Sequence, residues 1–214
     1  MRIDVMVLRK LKQIFRFIYD SDFRFDFMSS LGLTKSCSDE LFIKKMFKIR
    51  MGKNLNLENP RTFNEKLNWL KLYNRKPLYT ILVDKYAVKN WVAEKIGAQY
   101  VIPTLGVWER FDDIAFDNLP NQFVLKCTHD SGGLVICKNK NLLDRNAARK
   151  VISKALKQNF YYKSREWPYK NVPPRIIAEK YMEDESGELR DYKLFCFDGV
   201  VKALFVATDR QNKN

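Results

Sequence analysis

Histidine occurs once in this 214-residue chain, at His129, and the four cysteines (Cys37, Cys127, Cys137 and Cys196) form no Cys-x-x-C pair. Structural zinc wants four ligands, usually in paired spacing, so Cys127, His129 and Cys137 make a poor metal set. The scatter also excludes the dense disulfide framework of a small secreted domain, and free thiols in a reducing cytosol are the default. No apolar run reaches the ~20 residues of a membrane span. Arg9, Lys10, Lys12 and Arg16 interrupt the N-terminal apolar residues, so no cleavable signal is expected there. A cytoplasmic location follows, extending to the inner face of the plasma membrane if the N-terminus docks there. Acidic residues are scarce: 25 Asp and Glu stand against 39 Lys and Arg, a net charge of +14. A surplus of that size points to an anionic partner, such as a phosphate-bearing substrate, an acidic membrane surface or nucleic acid, or else to a merely solubilising surface.

What is present is a folded chain, 46% hydrophobic and 14% aromatic, long enough for one large domain or two small ones. Val7, Leu8, Leu11, Ile14, Phe15 and Ile18 fall at helical spacing among basic residues. Residues 7–18 are read as an amphipathic helix packed on the domain, or alternatively laid on an anionic leaflet. The following "SDFRFDF" reads as a connector and Asp39 to Arg50 as a second short basic helix. In "NPRTFNEKLNWLKLY", Thr62 and Glu65 have capping-box spacing, and Phe63, Leu67 and Leu70 predict one buried stripe. A third helix is predicted from Asp84 through Ile96, with Gly97 as its cap. "VIPTLGVWERF" reads as a short strand.

Beyond Pro120 the texture changes. Phe123 to Cys127 and Leu134 to Cys137 flank the only Gly-Gly pair and predict a hairpin. Centred on Gly132, it would set Cys127 and Cys137 opposite each other. Asp144 is a candidate cap for a helix striped by Ala148, Val151, Ile152, Ala155 and Leu156. "YYKSREWPYKNVPPR" reads as a loop, "RIIAEKYM" as a strand, and "LRDYKLFCF" with "VVKALFVAT" as a hairpin turned by Asp198-Gly199. Helices, hairpin, helix and a closing antiparallel meander amount to an α+β fold. The divisions expected are a basic helical region over 1–50, a helical region over 51–118, and a hairpin-rich domain over 119–214.

Chemistry concentrates in "LKCTHDSGGLVIC". A Cys127–His129 nucleophile pair lacks anything to orient the histidine, and a lone histidine is more often a packing residue. A phosphate loop needs backbone N–H groups at a flexible turn and a cation beside it. Gly132 and Gly133 would let a polyphosphate reach the main chain, and strand alternation frees Lys126 from the face of Leu125 and Cys127. Downstream, alternation puts Asp191 and Lys193 on one strand face with Phe195 and Phe197.

The ordered set "LKCTHDSGG", "IIAEKYM" and "DYKLFCFDG" resembles the ATP-grasp ligases. With "NPRTFNEKLNWLKLY", "DKYAVKNWVAEKIG" and "VIPTLGVWERFDD" it is similar to their TupA-like branch, associated with cell-surface polysaccharide and teichuronopeptide biosynthesis. The likeness runs from Met51 to the C-terminus. It implies that Lys126 and Lys85 hold ATP phosphates beneath a loop of His129, Asp130, Ser131, Gly132 and Gly133. Glu179, Lys180, Tyr181 and Met182 would line the adenine pocket, Asp191 would bind ribose, and Lys193, the residue assigned to catalysis, would be a basic position facing the phosphates or the acceptor. The implied reaction is ATP-dependent carboxylate–amine ligation through an acylphosphate, on a carboxylate-bearing or glycan-precursor substrate. Magnesium is implied too, but its acidic strands would follow "VATDRQNKN", where only Asp209 stands. The resemblance therefore implies a truncated or degenerate grasp domain, with no metal ligand assigned and little turnover by this chain alone. No nucleic-acid partner is expected. The alternatives are a glycosyltransferase of polysaccharide assembly, disfavoured because the D-x-D-like metal motif many such enzymes carry is not recognised in this chain, and a basic membrane- or nucleic-acid-binding module. The loop 163–170 has no assigned role.

Overall fold

The computed structural model describes residues 5–185, 187 and 189–208, with side chains from Lys12 onward. The predicted tail acid Asp209 and the first positions of the basic amphipathic stripe lie outside the described side chains.

Capping chemistry sets most of the helix starts. Helix α1 (Val5–Tyr19) gives way to α2 (Ser21–Ser30) at Asp20, whose carboxylate accepts from the N–H groups of Asp22 and Phe23. The predicted connector is thus a helix: its apolar alternation mimics extended chain, but the Asp20 cap decides. Ile14, Phe15 and Ile18 are exposed, not packed on the domain as expected. Helix α3 (Asp39–Met51) starts at Ser38 and ends at Gly52, which takes the left-handed conformation at φ 68°. It buries Phe42, Ile43, Met46 and Phe47 in a cluster completed by Leu55 and Leu57.

Helix α4 (Phe63–Tyr73) carries the expected capping box between Thr62 and Glu65. Its predicted stripe is not buried. Phe63 is 61% exposed, Leu67 and Leu70 are 41% exposed, and the buried residue is Glu65, turned back onto the chain to cap it. The predicted helix from Asp84 is also revised. Helix α5 (Pro77–Val83) precedes Asp84, and α6 (Ala87–Ile96) follows it. Asp84 accepts from the N–H of Tyr86 and is held by Arg175 at 2.6 Å, so it marks a break between two helices.

Strands β1 (Thr104–Trp108), β2 (Phe123–Cys127), β3 (Leu134–Cys137) and β4 (Ile176–Lys180) form one antiparallel sheet in the order β1-β4-β2-β3. The closing meander is therefore corrected: β4 inserts between β1 and β2 and does not pair with the hairpin that follows it. Phe123, Leu125, Cys127, Ile176 and Ala178 form one sheet face. On it lies helix α7 (Arg145–Leu156), capped by Asp144 and packed through Ala148, Ile152 and Ala155. Full burial of a side chain as large as Phe123, Leu125 or Ile152 stabilises by roughly 1.5–3 kcal/mol. The alternate positions Lys126 and Glu179 belong to the other face.

Helix α8 (Tyr161–Ser164) and a single turn at Trp167–Tyr169 interrupt the segment read as loop. Between them Arg165, at φ 55°, is buried completely enough to be 1% exposed. Strands β5 (Asp191–Phe197) and β6 (Val200–Ala207) make a separate two-stranded sheet, turned at Asp198 (φ 50°) and Gly199 (φ 74°) as the type I′ reading requires. The pairing shifts opposite Phe195 and Cys196, where β6 carries the extra residue: Phe195 pairs with Ala203 and Cys196 with Val201, so Lys202 is passed over. The chain is α+β, as its sequence pattern implies.

Candidate functional site

Strand β2 delivers Lys126 to the sheet face opposite α7, and β4 delivers Glu179 beside it, because Val124 pairs with Glu179 and Lys126 with Ile177. The Lys126 ammonium lies 2.5 Å from one Glu179 oxygen, and Lys89 of α6 lies 2.5 Å from the other. Burial pushes the Glu179 carboxyl up, but the hydrogen bonds from Lys126 and Lys89 outweigh it and hold it below the usual carboxylate range. Lys89 also donates to the Ile102 carbonyl at 2.6 Å.

Lys85 approaches from the turn before α6. Its ammonium donates to the carbonyls of Cys127 (2.9 Å) and Asp130, so it braces the start of the loop. Burial lowers its pKa, and the nearby Asp130 charge opposes that. Asp130 in turn accepts from the N–H of Gly133 at 2.8 Å, while its other oxygen is buried without a hydrogen bond, 3.9 Å from Lys85. Three amines thus converge on two carboxylates. An ammonium has three donors, and Lys126 is part-exposed with one donor on Glu179, leaving the rest for an incoming anion. Lys85, Lys89, Lys126 and Glu179, with Val88 and Ile102 among their apolar neighbours, bound a recess of about 260 Å³.

The hairpin differs from its predicted form in three respects. Phe123 pairs with Cys137 and Lys126 with Leu134, so the turn is centred on Asp130 and Cys127 lies by Gly133, not opposite Cys137. The sulfur of Cys127 meets the Ile152 carbonyl and that of Cys137 the Asn121 carbonyl, so the thiols diverge. Burial pushes the Cys127 thiol up to about 12. Gly133 serves packing: a Cβ there would lie 2.5 Å from Ala155 Cβ and 2.9 Å from Cys127 Sγ. Only Gly132 faces open space, beside exposed Ser131. His129 points into the core, its Nε2 donating to the Gln158 carbonyl at 2.9 Å, and it does not line the cleft formed by Asp130, Ser131 and Gly132.

The remaining predicted residues are dispersed. Tyr181 is buried with its hydroxyl lacking a hydrogen bond, while Lys180 and Met182 are exposed. Asp191 and Lys193 pair with each other at 2.6 Å on β5, outside the four-stranded sheet. Sequence reasoning missed Lys89, although its place four residues after Lys85 was a usable signal. It also missed Arg175, which holds Asp84 and covers the Tyr86 ring. Asp20-Ser21-Asp22 does have D-x-D spacing, but Asp20 is spent capping α2 and Asp22 reaches Lys48 at 3.5 Å. Among the described residues no three acidic, histidine or cysteine side chains gather as a metal set.

A braced turn, a strand lysine beneath it and a buried glutamate between lysines stand in the order of the resemblance. The model of the TupA-like ATPgrasp family matches residues 65–214. The chain belongs to that family. Searches of curated proteins and of solved structures found no match. The family match begins at Glu65, within α4, and runs through β6, so the four-stranded sheet, its β2–β3 turn and the β5–β6 hairpin all lie in the matched region.

Proposed function

We propose that the chain binds ATP on the sheet face carrying Lys126 and Glu179, for carboxylate–amine ligation in cell-surface polysaccharide assembly. The observation that carries this reading is the convergence of Lys85, Lys89 and Lys126 beneath the exposed Ser131-Gly132 turn. Lys126 would meet the phosphates, and Glu179 would hold it and Lys89 in place, so its side chain acts here as their counter-ion more than as an adenine contact. Lys85 would keep the turn's backbone posed for the anion. Lys180, Tyr181 and Met182 would border the base, and Asp191 and Lys193 would serve ribose and the transferred phosphoryl group from the hairpin.

In this chemistry a substrate carboxylate attacks the terminal phosphorus, ADP leaves, and an amine then displaces phosphate from the acyl carbon. Fixed cations stabilise the charge spread over the transferred oxygens. Magnesium would neutralise more of that charge; among the described residues no three acidic, histidine or cysteine side chains gather to hold it. The test is thermal: saturating Mg-ATP raises the melting temperature of the full chain, and Lys126→Ala abolishes the rise. An unchanged melting temperature at saturating Mg-ATP sinks the reading.

Exposed Ile14, Phe15 and Ile18 on α1, next to Lys12 and Arg16, favour peripheral contact with an anionic membrane. No helix among the described residues is long and apolar enough to cross one. Flotation with vesicles containing phosphatidylglycerol should depend on residues 7–18. Equal flotation after their deletion refutes the contact.

A further inference from the structure

Lys85 stands just before α6 and Lys89 lies in its first turn, yet no residue of α6 is buried, and none of α5 before it. Half-buried Val88 and Val92 give α6 a weaker apolar hold than Ile152 gives α7. Packing of an apolar face is what usually fixes a helix in place. The position of these two amines therefore depends on polar ties.

Those ties begin at Asp84. One of its carboxylate oxygens accepts from the N–H groups of Tyr86 (3.0 Å) and Ala87 (3.4 Å) and so fixes the start of α6. The other accepts from Arg175 at 2.6 Å. The Asp84 side chain is 5% exposed, so salt and water screen the pair little. Arg175 stands one residue before β4, and its guanidinium also covers the Tyr86 ring at 4.9 Å.

Arg175 is tied in turn to the strand that bears Lys126. Its carbonyl accepts from the Thr128 N–H at 2.9 Å, and its own N–H donates to the Thr128 hydroxyl at 3.3 Å. The ladder of β2 and β4 thus continues one step past Cys127 and Ile176. The Thr128 carbonyl then accepts from the Lys85 N–H at 3.1 Å. A closed circuit runs from Asp84 to Arg175, Thr128 and Lys85, which adjoins Asp84 in the chain. Strand alternation puts Arg175 on the face of Ile177 and Glu179. The circuit therefore sets α6, with Lys89, against the strand that presents Glu179.

We propose that Asp84 and Arg175 are positioning residues of the anion site. They hold α6 where Lys85 reaches the carbonyls of Cys127 and Asp130 and where Lys89 reaches Glu179. Breaking the pair frees the start of α6, Lys89 leaves Glu179, and Glu179 keeps Lys126 to itself. The site then loses a fixed cation and engages the donors of another, which weakens its field on a phosphate. That the anion is ATP rests on the reading above; the positioning of the lysines does not.

The test reads the lysines directly. Acetylation of the full chain by an N-hydroxysuccinimide ester, with peptide mass analysis, gives the rate at each lysine relative to exposed Lys150. Lys89, with a side chain 12% exposed, should be slow in the unaltered chain. Lys140 is the control, because the carbonyls of Phe116, Asp117 and Leu119 hold it away from this site. Asp84→Asn keeps an oxygen for the α6 cap and loses the charge, and Arg175→Met removes the other partner. Each should speed labelling of Lys89 at least about tenfold, as loss of a charged hydrogen bond implies, and leave Lys140 unchanged. The double variant leaves no buried charge unpaired, should match the single variants, and carries the test if Arg175→Met does not fold. All should weaken Mg-ATP binding about tenfold by calorimetry. Unchanged labelling of Lys89 in a folded variant overturns the proposal, and so does an equal rise at Lys140, which means general loosening. Faster labelling of Lys89 with unaltered Mg-ATP affinity overturns the claim that this positioning serves the anion site. Faster labelling of Lys89 where the unaltered chain binds no Mg-ATP supports the positioning and refutes the nucleotide reading alone.

Discussion

Two hairpins in this molecule share a grammar and differ in almost everything else. In β2–β3, Phe123, Leu125 and Cys127 lie at the centre of a four-stranded sheet backed by α7. In β5–β6 the strands pair only with each other among the described residues, and Leu194, Phe195, Val201, Leu204 and Phe205 are all exposed. Both hairpins are strongly apolar, with 8 of 9 strand residues in the first and 12 of 15 in the second. Apolar content therefore does not decide which hairpin is buried; the strands and helix that arrive from elsewhere do. A two-stranded hairpin alone is marginal in water, so β5–β6 should open far more readily than β2–β3.

Thiol chemistry should show the largest contrast. Cys196 is exposed on β5, whereas Cys127 is fully buried with its thiol pushed up to about 12 from 9.0. Three units of pKa cut the reactive thiolate about a thousandfold at pH 8, before any protection by folding. Alkylation followed by peptide mass analysis should modify Cys196 first and Cys127 last. Comparable rates would mean that the sheet core opens as easily as the hairpin.

Truncation comes next. Leu125→Ala leaves a cavity in a fully buried position and should cost about 2–5 kcal/mol in urea denaturation. Leu204→Ala, at an exposed position, should fall within about 0.5 kcal/mol. A large loss at Leu204 would show that the hairpin is covered in solution.

The same contrast explains what could be read in advance. Elements fixed by neighbours in sequence were legible: the Thr62–Glu65 box, the Asp144 cap, and the Asp198-Gly199 turn that holds two positive φ angles. Elements fixed by distant partners were not. The spacing of Leu67 and Leu70 is the same for a buried stripe and for a cleft wall, and only α3 opposite them decides. Nothing local announces that β4 enters between β1 and β2. Lys126 and Glu179 were readable through the order of their motifs, but the role of Glu179 as counter-ion depends on Lys89 arriving from α6. Arg165 was unreadable because its partner Thr34 is 131 residues away.

Adjacent glycines test the turn itself. Gly133→Ala drives a methyl into Ala155 and Cys127 and should destabilise by about 1–3 kcal/mol. Gly132→Ala, with nothing near its Cβ, should change stability by no more than about 0.5 kcal/mol. Thermal denaturation of the pair separates a packing glycine from an open one. Equal effects would place the turn differently against α7.

The smallest effect belongs to the hairpin's own ion pair. Glu179 is buried between two lysines and its folded pKa is depressed below 4.5. Its contribution is therefore present above the unfolded pKa and is lost as pH falls through the folded one. Glu179→Gln should remove that part of the acid limb from a plot of stability against pH. Asp191–Lys193 is an i, i+2 contact on an exposed strand, with the lysine side chain half open to solvent. Surface pairs of this kind contribute less than about 1 kcal/mol and are screened by salt. Lys193→Ala should therefore shift the melting temperature barely, and less still at high ionic strength. A shift that rivals Glu179→Gln and resists salt would mean that another surface buries this pair, and the two hairpins would then be alike after all.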